Sequence, residues 1–275
     1  MSLFRCLVLL VLFLFPMISS QSFAQPTPNN FQRIIFLGDS ITQSGDGHEN
    51  GYVRLVRNEL KARNASLEVI GAGISGNKVP DLQRRLKTDV LDKAPTIVVI
   101  YIGINDVWHS QKGKGTPKDK FKSGLQEIVG KIKEAGAEPV LCTASVIGEK
   151  TDGSNPLDKM LDEYCEMSRQ VATGNGLQLI DLRNMFLDEL KSLNPNNLGK
   201  GILTSDGVHL NKTGNQFVAD RMLNALAPTL DKKELRHVVL FEFEDGVTDQ
   251  QKQEIVSAFG NLKDKIDVIS DFEYG

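Results

Sequence analysis

The sequence predicts an α/β protein built as a three-layer α/β/α sandwich, with a mainly parallel, doubly wound sheet between two layers of helices. Three observations predict it. Strand-like runs alternate with helical patterns from Arg33 to Leu226, the order that builds parallel sheets through crossover helices. The run Thr96–Ile102 is apolar at successive positions, as a parallel strand covered on both faces must be. Segments bearing polar and glycine residues follow the first three strands, at Ser40, Gly76 and Asn105. All three should meet at the carboxyl edge of the sheet, where such folds bind their ligands.

The elements follow in order. Arg33–Leu37 is an apolar strand that ends in Gly38-Asp39-Ser40. Tyr52–Arg63 carries its apolar residues at helical spacing, and Leu67–Ile70 is a second strand running into a glycine-rich stretch. A helical pattern over Val79–Leu91 leads to the strand Thr96–Ile102 and then to Gly103-Ile104-Asn105-Asp106. The helix expected over Lys118–Ala135 precedes a strand at Glu138–Ala144. A helix at Leu157–Thr173 and a strand at Leu177–Leu182 follow, and a last helix at Gly214–Leu226 comes after Asp206-Gly207-Val208-His209. Together these define a main domain over 32–230.

Residues 1–24 stand outside it. Arg5 gives a positive start, Leu7 to Phe15 an unbroken apolar core, and Ser22-Phe23-Ala24 a small-x-small cleavage site. This predicts a secretory signal peptide, since a spanning helix needs about 20 apolar residues; the competing expectation is an uncleaved anchor. The mature chain is then expected in a secreted or periplasmic location, without stable membrane insertion. Residues 25–31 form a polar, proline-containing linker. Without Arg5 the balance is 31 basic against 35 acidic residues, which points away from nucleic acid and anionic membrane as partners. Of three cysteines, Cys142 and Cys165 remain after the leader, and the sequence leaves open whether they pair. No Cys or His cluster has zinc spacing, so neither metal nor cofactor is expected.

The tail changes character after Asp231-Lys232-Lys233-Glu234. Val239, Phe241 and Phe243 alternate with Leu240, Glu242 and Glu244, and Thr248 with Gln251 makes a capping box. Ile255, Phe259 and Leu262 recur at helical spacing, and a second alternating run covers Val268–Tyr274. This is a β-α-β unit over 234–275, and about forty residues are too few to bury a core alone.

Two segments carry the chemistry. Ser40 sits at the carboxyl end of a buried strand, and Asp206 lies three residues before His209. An aspartate so placed can fold back and hold one imidazole nitrogen, leaving the other to accept a hydroxyl proton. That is the logic of a Ser-His-Asp nucleophile. Gly38-Asp39-Ser40, Gly76 within Ile74-Ser75-Gly76-Asn77, Gly103-Ile104-Asn105-Asp106 and Asp206-Gly207-Val208-His209 together resemble the blocks of the SGNH (GDSL-type) hydrolase family. The resemblance implies a flavodoxin-like sheet and an acyl-enzyme mechanism. It makes Ser40 the nucleophile, His209 the base and Asp206 its orienting partner. Ser40 and Gly76 N–H and the Asn105 amide would form the oxyanion hole. Where the family often has asparagine before its second block, this chain has Gly71, which is expected to loosen support for that loop.

Asp39 and Asp106 are expected to brace their loops rather than react. His48, His109 and Trp108 lie near the same edge, Trp108 as a wall for an apolar or sugar surface or as ordinary packing. Lys112–Lys120 reads as a solvated basic connection. Gly71-Ala72-Gly73-Ile74-Ser75-Gly76 also matches the dinucleotide-binding G-x-G-x-x-G pattern. Yet it follows the second strand, and no acidic residue ends the next strand at the needed distance. A non-catalytic binding module is the third class considered, and the intact Ser40, Asn105, Asp206 and His209 speak against it.

The polar loops Gln43–Asn50 and Trp108–Lys120 tilt the substrate toward short acyl esters, a small molecule or an acetylated carbohydrate. A lysophospholipase or thioesterase is the alternative. The tail, through Arg236–Phe243, Asp245-Gly246 and Phe272–Gly275, resembles the front part of a stress-responsive A/B barrel (Dabb) domain. That resemblance implies a partial ferredoxin-like α+β unit of a kind that often dimerises, so the tail is expected to be an association or accessory element, or a truncation remnant.

Overall fold

The computed structural model describes residues 32–230, 243 and 246–264. The contacts divide the chain into two units, Met1–Leu230 and Asp231–Gly275. In the first, β1 (Arg33–Gly38), β2 (Glu68–Gly73), β3 (Ile97–Tyr101), β4 (Glu138–Cys142) and β5 (Gln178–Ile180) form a five-stranded sheet in the order β2-β1-β3-β4-β5. Every pairing is parallel. The doubly wound α/β expectation is met, with β3 at the centre and buried at all five positions. At the sheet edge, β2 buries only Val69 and Ala72, which is why its sequence is the least apolar of the first three strands.

The helices are α1 (Ser40–Gly47), α2 (Tyr52–Arg63), α3 (Val79–Asp89), α4 (Ile104–Trp108), α5 (Lys118–Glu134), α6 (Asp158–Gly174), α7 (Leu182–Leu193) and α8 (Lys212–Leu230). On one side α2 packs against α8, and on the other α3, α5 and α6 pack in succession. Three helices were not singled out by the sequence pattern. The segment Ser40–Gly47, expected to be polar loop from Gln43 onward, is helical because Asp39 caps it, accepting Ile41 N–H at 2.9 Å, and because Ile41, Thr42 and Gly45 are buried. The short α4 follows Gly103, whose φ of +125° favours glycine. The amphipathic α7 begins two residues after β5, so its first turn merges with the strand when read as pattern alone.

Cys142 on β4 and Cys165 on α6 are buried free thiols. Among the described residues no helix is long and apolar enough to cross a membrane.

In the second unit, α9 (Asp249–Gly260) carries the expected capping box. Thr248 Oγ1 accepts Gln251 N–H at 3.3 Å, and Gln251 Oε1 accepts Thr248 N–H at 2.9 Å. Apart from Phe243, the two expected strands of the tail lie outside the described residues, as do residues 1–31 with the predicted leader.

Candidate active site

The parallel register sets the site. Gly38 lies level with Gly73 of β2 and Tyr101 of β3, so the residues that follow these three strand ends share one edge. Ser40 is the first residue of α1, two residues after the end of β1. The first N–H groups of a helix have no intrahelical acceptor, so the Ser40 N–H is available beside its own hydroxyl. Ser40 and Asn105 flank the point between β1 and β3 where the strand order reverses, the ligand crevice of doubly wound sheets.

Asp206 and His209 come from the connection between α7 and α8, closed by an antiparallel bridge between Thr204 and Leu210. Asp206 Oδ1 accepts the N–H groups of Val208 at 2.9 Å and His209 at 2.8 Å, while Oδ2 lies 2.7 Å from His209 Nδ1. Partial burial pushes the Asp206 carboxyl up, but the bonds from the His209 ring and these two N–H groups outweigh it and hold it below the usual range. A carboxylate only accepts, so Nδ1 carries the proton and Nε2 accepts the Ser40 hydroxyl, 2.9 Å away. The structure thus brings Ser40, His209 and Asp206 into one relay. A hydroxyl held in this way can lose its proton as it attacks a carbonyl carbon.

Gly76 and Asn105 lie at the same edge. Gly76 has φ +77°, and a Cβ there would meet nothing within 4 Å. The left-handed φ favours glycine here, and the space beside its Cα is open. Asn105 is buried, and its Nδ2 donates one hydrogen to the Asn77 carbonyl at 3.1 Å. That bond fixes the amide and leaves its second hydrogen unused.

The dinucleotide-like glycines have a different explanation. A Cβ on Gly73 would lie 2.2 Å from Gln43 N, so β2 ends hard against α1. A Cβ on Gly71 would lie 2.5 Å from the Asp46 side chain, which pairs with Arg57. The space an asparagine would take is filled by that ion pair. These glycines serve strand–helix packing and a turn.

Asp39 and Asp106 are both buried. Burial pushes Asp39 up to about 7 against the pull of the Ile41 N–H, with Asp106 adding to the rise. Burial pushes Asp106 up to about 6, opposed by neighbouring donors and Lys78. Asp106 Oδ1 accepts Val79 N–H at 3.1 Å, and its carbonyl accepts Thr116 N–H at 3.0 Å. It joins α3 and the Lys112–Lys120 connection to α4.

Trp108 reaches the relay, its ring edge-to-face with His209 at 6.1 Å between centroids. His109 lies against Trp108, whereas His48 is exposed past the end of α1. Two positioning side chains had no signal in the sequence. Arg85 of α3 donates to Gly38 O and to Asn77 Oδ1, each at 2.7 Å, tying the end of β1 to the loop after β2. Gln43 accepts Ser75 N–H at 2.9 Å. Among the described residues no group of His, Cys, Asp and Glu is arranged to hold a metal ion.

Comparison with known proteins identifies the family. The model of the GDSL-like Lipase/Acylhydrolase family matches residues 36–217, and that of the Stress responsive A/B Barrel Domain matches residues 235–275. Over 213 residues the chain is 30% identical to an acetylxylan esterase of Geobacillus stearothermophilus, a match covering 71% of this chain and 94% of the relative. It is 25% identical over 234 residues to the isoamyl acetate-hydrolyzing esterase 1 homolog of Bos taurus, covering 78% and 87%. The crystal structure of the acetyl xylan esterase AlAXEase superposes with a TM-score of 0.68 at 46% identity, covering 70% of this chain and 99% of that one. The chain belongs to the GDSL-like lipase/acylhydrolase family and is a carboxylic ester hydrolase.

Proposed function

We propose that the protein is an exported esterase that removes acetyl groups from carbohydrate through an acyl-enzyme on Ser40. The observation that carries the mechanism is the unbroken relay from Ser40 Oγ to His209 Nε2 and from His209 Nδ1 to Asp206. Ser40 Oγ attacks the ester carbonyl carbon as Nε2 takes its proton, and Asp206 holds the resulting imidazolium. The oxyanion lies among the Ser40 and Gly76 N–H groups and the free hydrogen of the Asn105 amide. Preorganised donors of this kind contribute about 2.7–4 kcal/mol each. The intermediate collapses, Nε2 gives its proton to the sugar oxygen, and the alcohol leaves. Water, deprotonated by His209, then attacks the acetyl-serine; acetate departs and Ser40 recovers its proton.

The choice of acyl and alcohol rests on the relatives, two of which are acetylxylan esterases, and on Trp108. The leaving oxygen must lie beside His209 Nε2, and the indole next to that imidazole gives an apolar face for a sugar ring to pack on. Initial rates on p-nitrophenyl esters of increasing chain length, on acetylated xylo-oligosaccharides and on lysophospholipid test it. Acetate is expected to be cleaved fastest among the simple esters, and acetate release from the oligosaccharides should follow. Preference for the lysophospholipid would reverse the assignment.

Export rests on the leader pattern around Arg5, Leu7 to Phe15 and Ser22-Phe23-Ala24. Protein recovered outside the cytoplasm should begin at Gln25, and a cytoplasmic chain that retains residues 1–24 would remove this part of the proposal.

A further inference from the structure

Glu149 is wholly buried in the connection between β4 and α6. Its side chain reaches into the connection 194–211 that presents Asp206 and His209. Oε2 accepts Ile202 N–H at 2.7 Å, and Oε1 accepts Leu203 N–H at 2.7 Å together with Thr204 N–H. Among the described residues no Lys, Arg or His forms an ion pair with it. The flanking backbone joins the same connection. Gly148 N–H donates to the Gly207 carbonyl at 2.8 Å, and Glu149 N–H donates to Gly199 O at 2.9 Å. Asn194 Nδ2 closes the far side on Glu149 O and Leu198 O, both at 2.8 Å.

The connection it holds contains no helix or strand, yet it must keep Asp206 and His209 in register with Ser40 on a different element. Segments of this kind are mobile unless something ties them down, and a catalytic constellation tolerates only about 0.5 Å of drift. Thr204 is the last residue gripped by Glu149 and the first of the closed turn, and its hydroxyl in turn accepts Gly207 N–H at 3.0 Å. The clamp and the relay are therefore contiguous, through Thr204 to Gly207 and on to His209. We propose, resting on the catalytic roles given above, that Glu149 is a positioning residue for the ester hydrolysis. Its carboxylate accepts three charge-assisted bonds from the backbone N–H groups of Ile202, Leu203 and Thr204, the segment that leads directly into the Asp206–His209 turn.

Glu149→Gln keeps the volume but sets an amide NH₂ against an N–H donor. A displacement of about 1 Å at a reacting group costs up to about 10²-fold, so kcat is expected to fall by that order with KM little changed. The acid limb of the kcat/KM–pH profile should move, and the low-field proton resonance of the Asp206–His209 bond should broaden or shift. Should Glu149→Gln fail to fold, Glu149→Asp replaces it, keeping both acceptor oxygens on a shorter arm, with the same three readouts. A variant that merely melts earlier, with kcat, pH limb and proton resonance as in the wild type, would overturn the proposal. Wild-type activity that survives Ser40→Ala would instead overturn the catalytic roles beneath it.

Discussion

Ser40→Ala is expected to lower kcat for acetyl-ester hydrolysis on the order of 10⁶-fold, the scale seen when a serine nucleophile is removed from an intact relay. The fold should not notice. Alanine suits the first turn of α1, the Asp39 cap on Ile41 is untouched, and the backbone N–H at position 40 stays in place. Melting should therefore match the wild type within about 0.5 kcal/mol. Residual catalysis of roughly 10³–10⁴ over water is expected from the oxyanion donors and substrate binding alone. A fluorophosphonate probe should label the wild type at Ser40 and leave the variant unlabelled. Asn105→Ala separates the two halves of the machinery. It should lose about 10²–10³ in kcat while the probe still reaches Ser40. Hydrolysis near the wild-type rate in Ser40→Ala would assign the nucleophile elsewhere.

The relay was legible because its information is local. Ser40 follows a strand whose apolar run ends at Gly38, and Asp206 reaches His209 within one turn. Parallel strands whose ends are visible in the sequence bring Ser40, Gly76 and Asn105 to one edge with no further knowledge. What supports the relay is another matter. Glu149 sits in Gly148-Glu149-Lys150-Thr151-Asp152, and Arg85 on a helix rich in charge. A charge among polar neighbours reads as solvated, and only the tertiary arrangement buries it. Gly76 is visible by position, but its left-handed φ, which favours glycine, is not displayed by a sequence. The α1 helix was missed because Ser40-Ile41-Thr42-Gln43-Ser44-Gly45 has low intrinsic propensity, and packing against β2 supplies what propensity does not.

Arg183 is the largest case of this kind, and Arg183→Ala is expected to destabilise the main unit by about 3 kcal/mol. It stands second in α7 as an ordinary surface arginine would, yet its side chain is only 2% exposed. Nη2 pairs with Asp158 at 2.9 Å, Nε pairs with Asp162 at 2.7 Å, and Nη1 reaches the Ser145 carbonyl at 3.4 Å. It bolts the first turn of α7 to α6 and to the segment after β4. The two carboxylates do not suffer equally from its loss. Asp162 is 54% exposed and can be solvated, whereas Asp158 is only 15% exposed and would be left charged against a cavity. For a unit of this size, Tm should fall by about 6–12 °C. Arg183→Met fills part of the cavity without neutralising Asp158, so it should recover only part of the loss. Adding Asp158→Asn to Arg183→Met should recover more, because burying an uncharged amide costs less than burying an unpaired carboxylate. If Arg183→Ala melted within about 1 °C of the wild type, the buried pair would contribute no net stability. The cost of desolvating the guanidinium would then equal everything its two partners return.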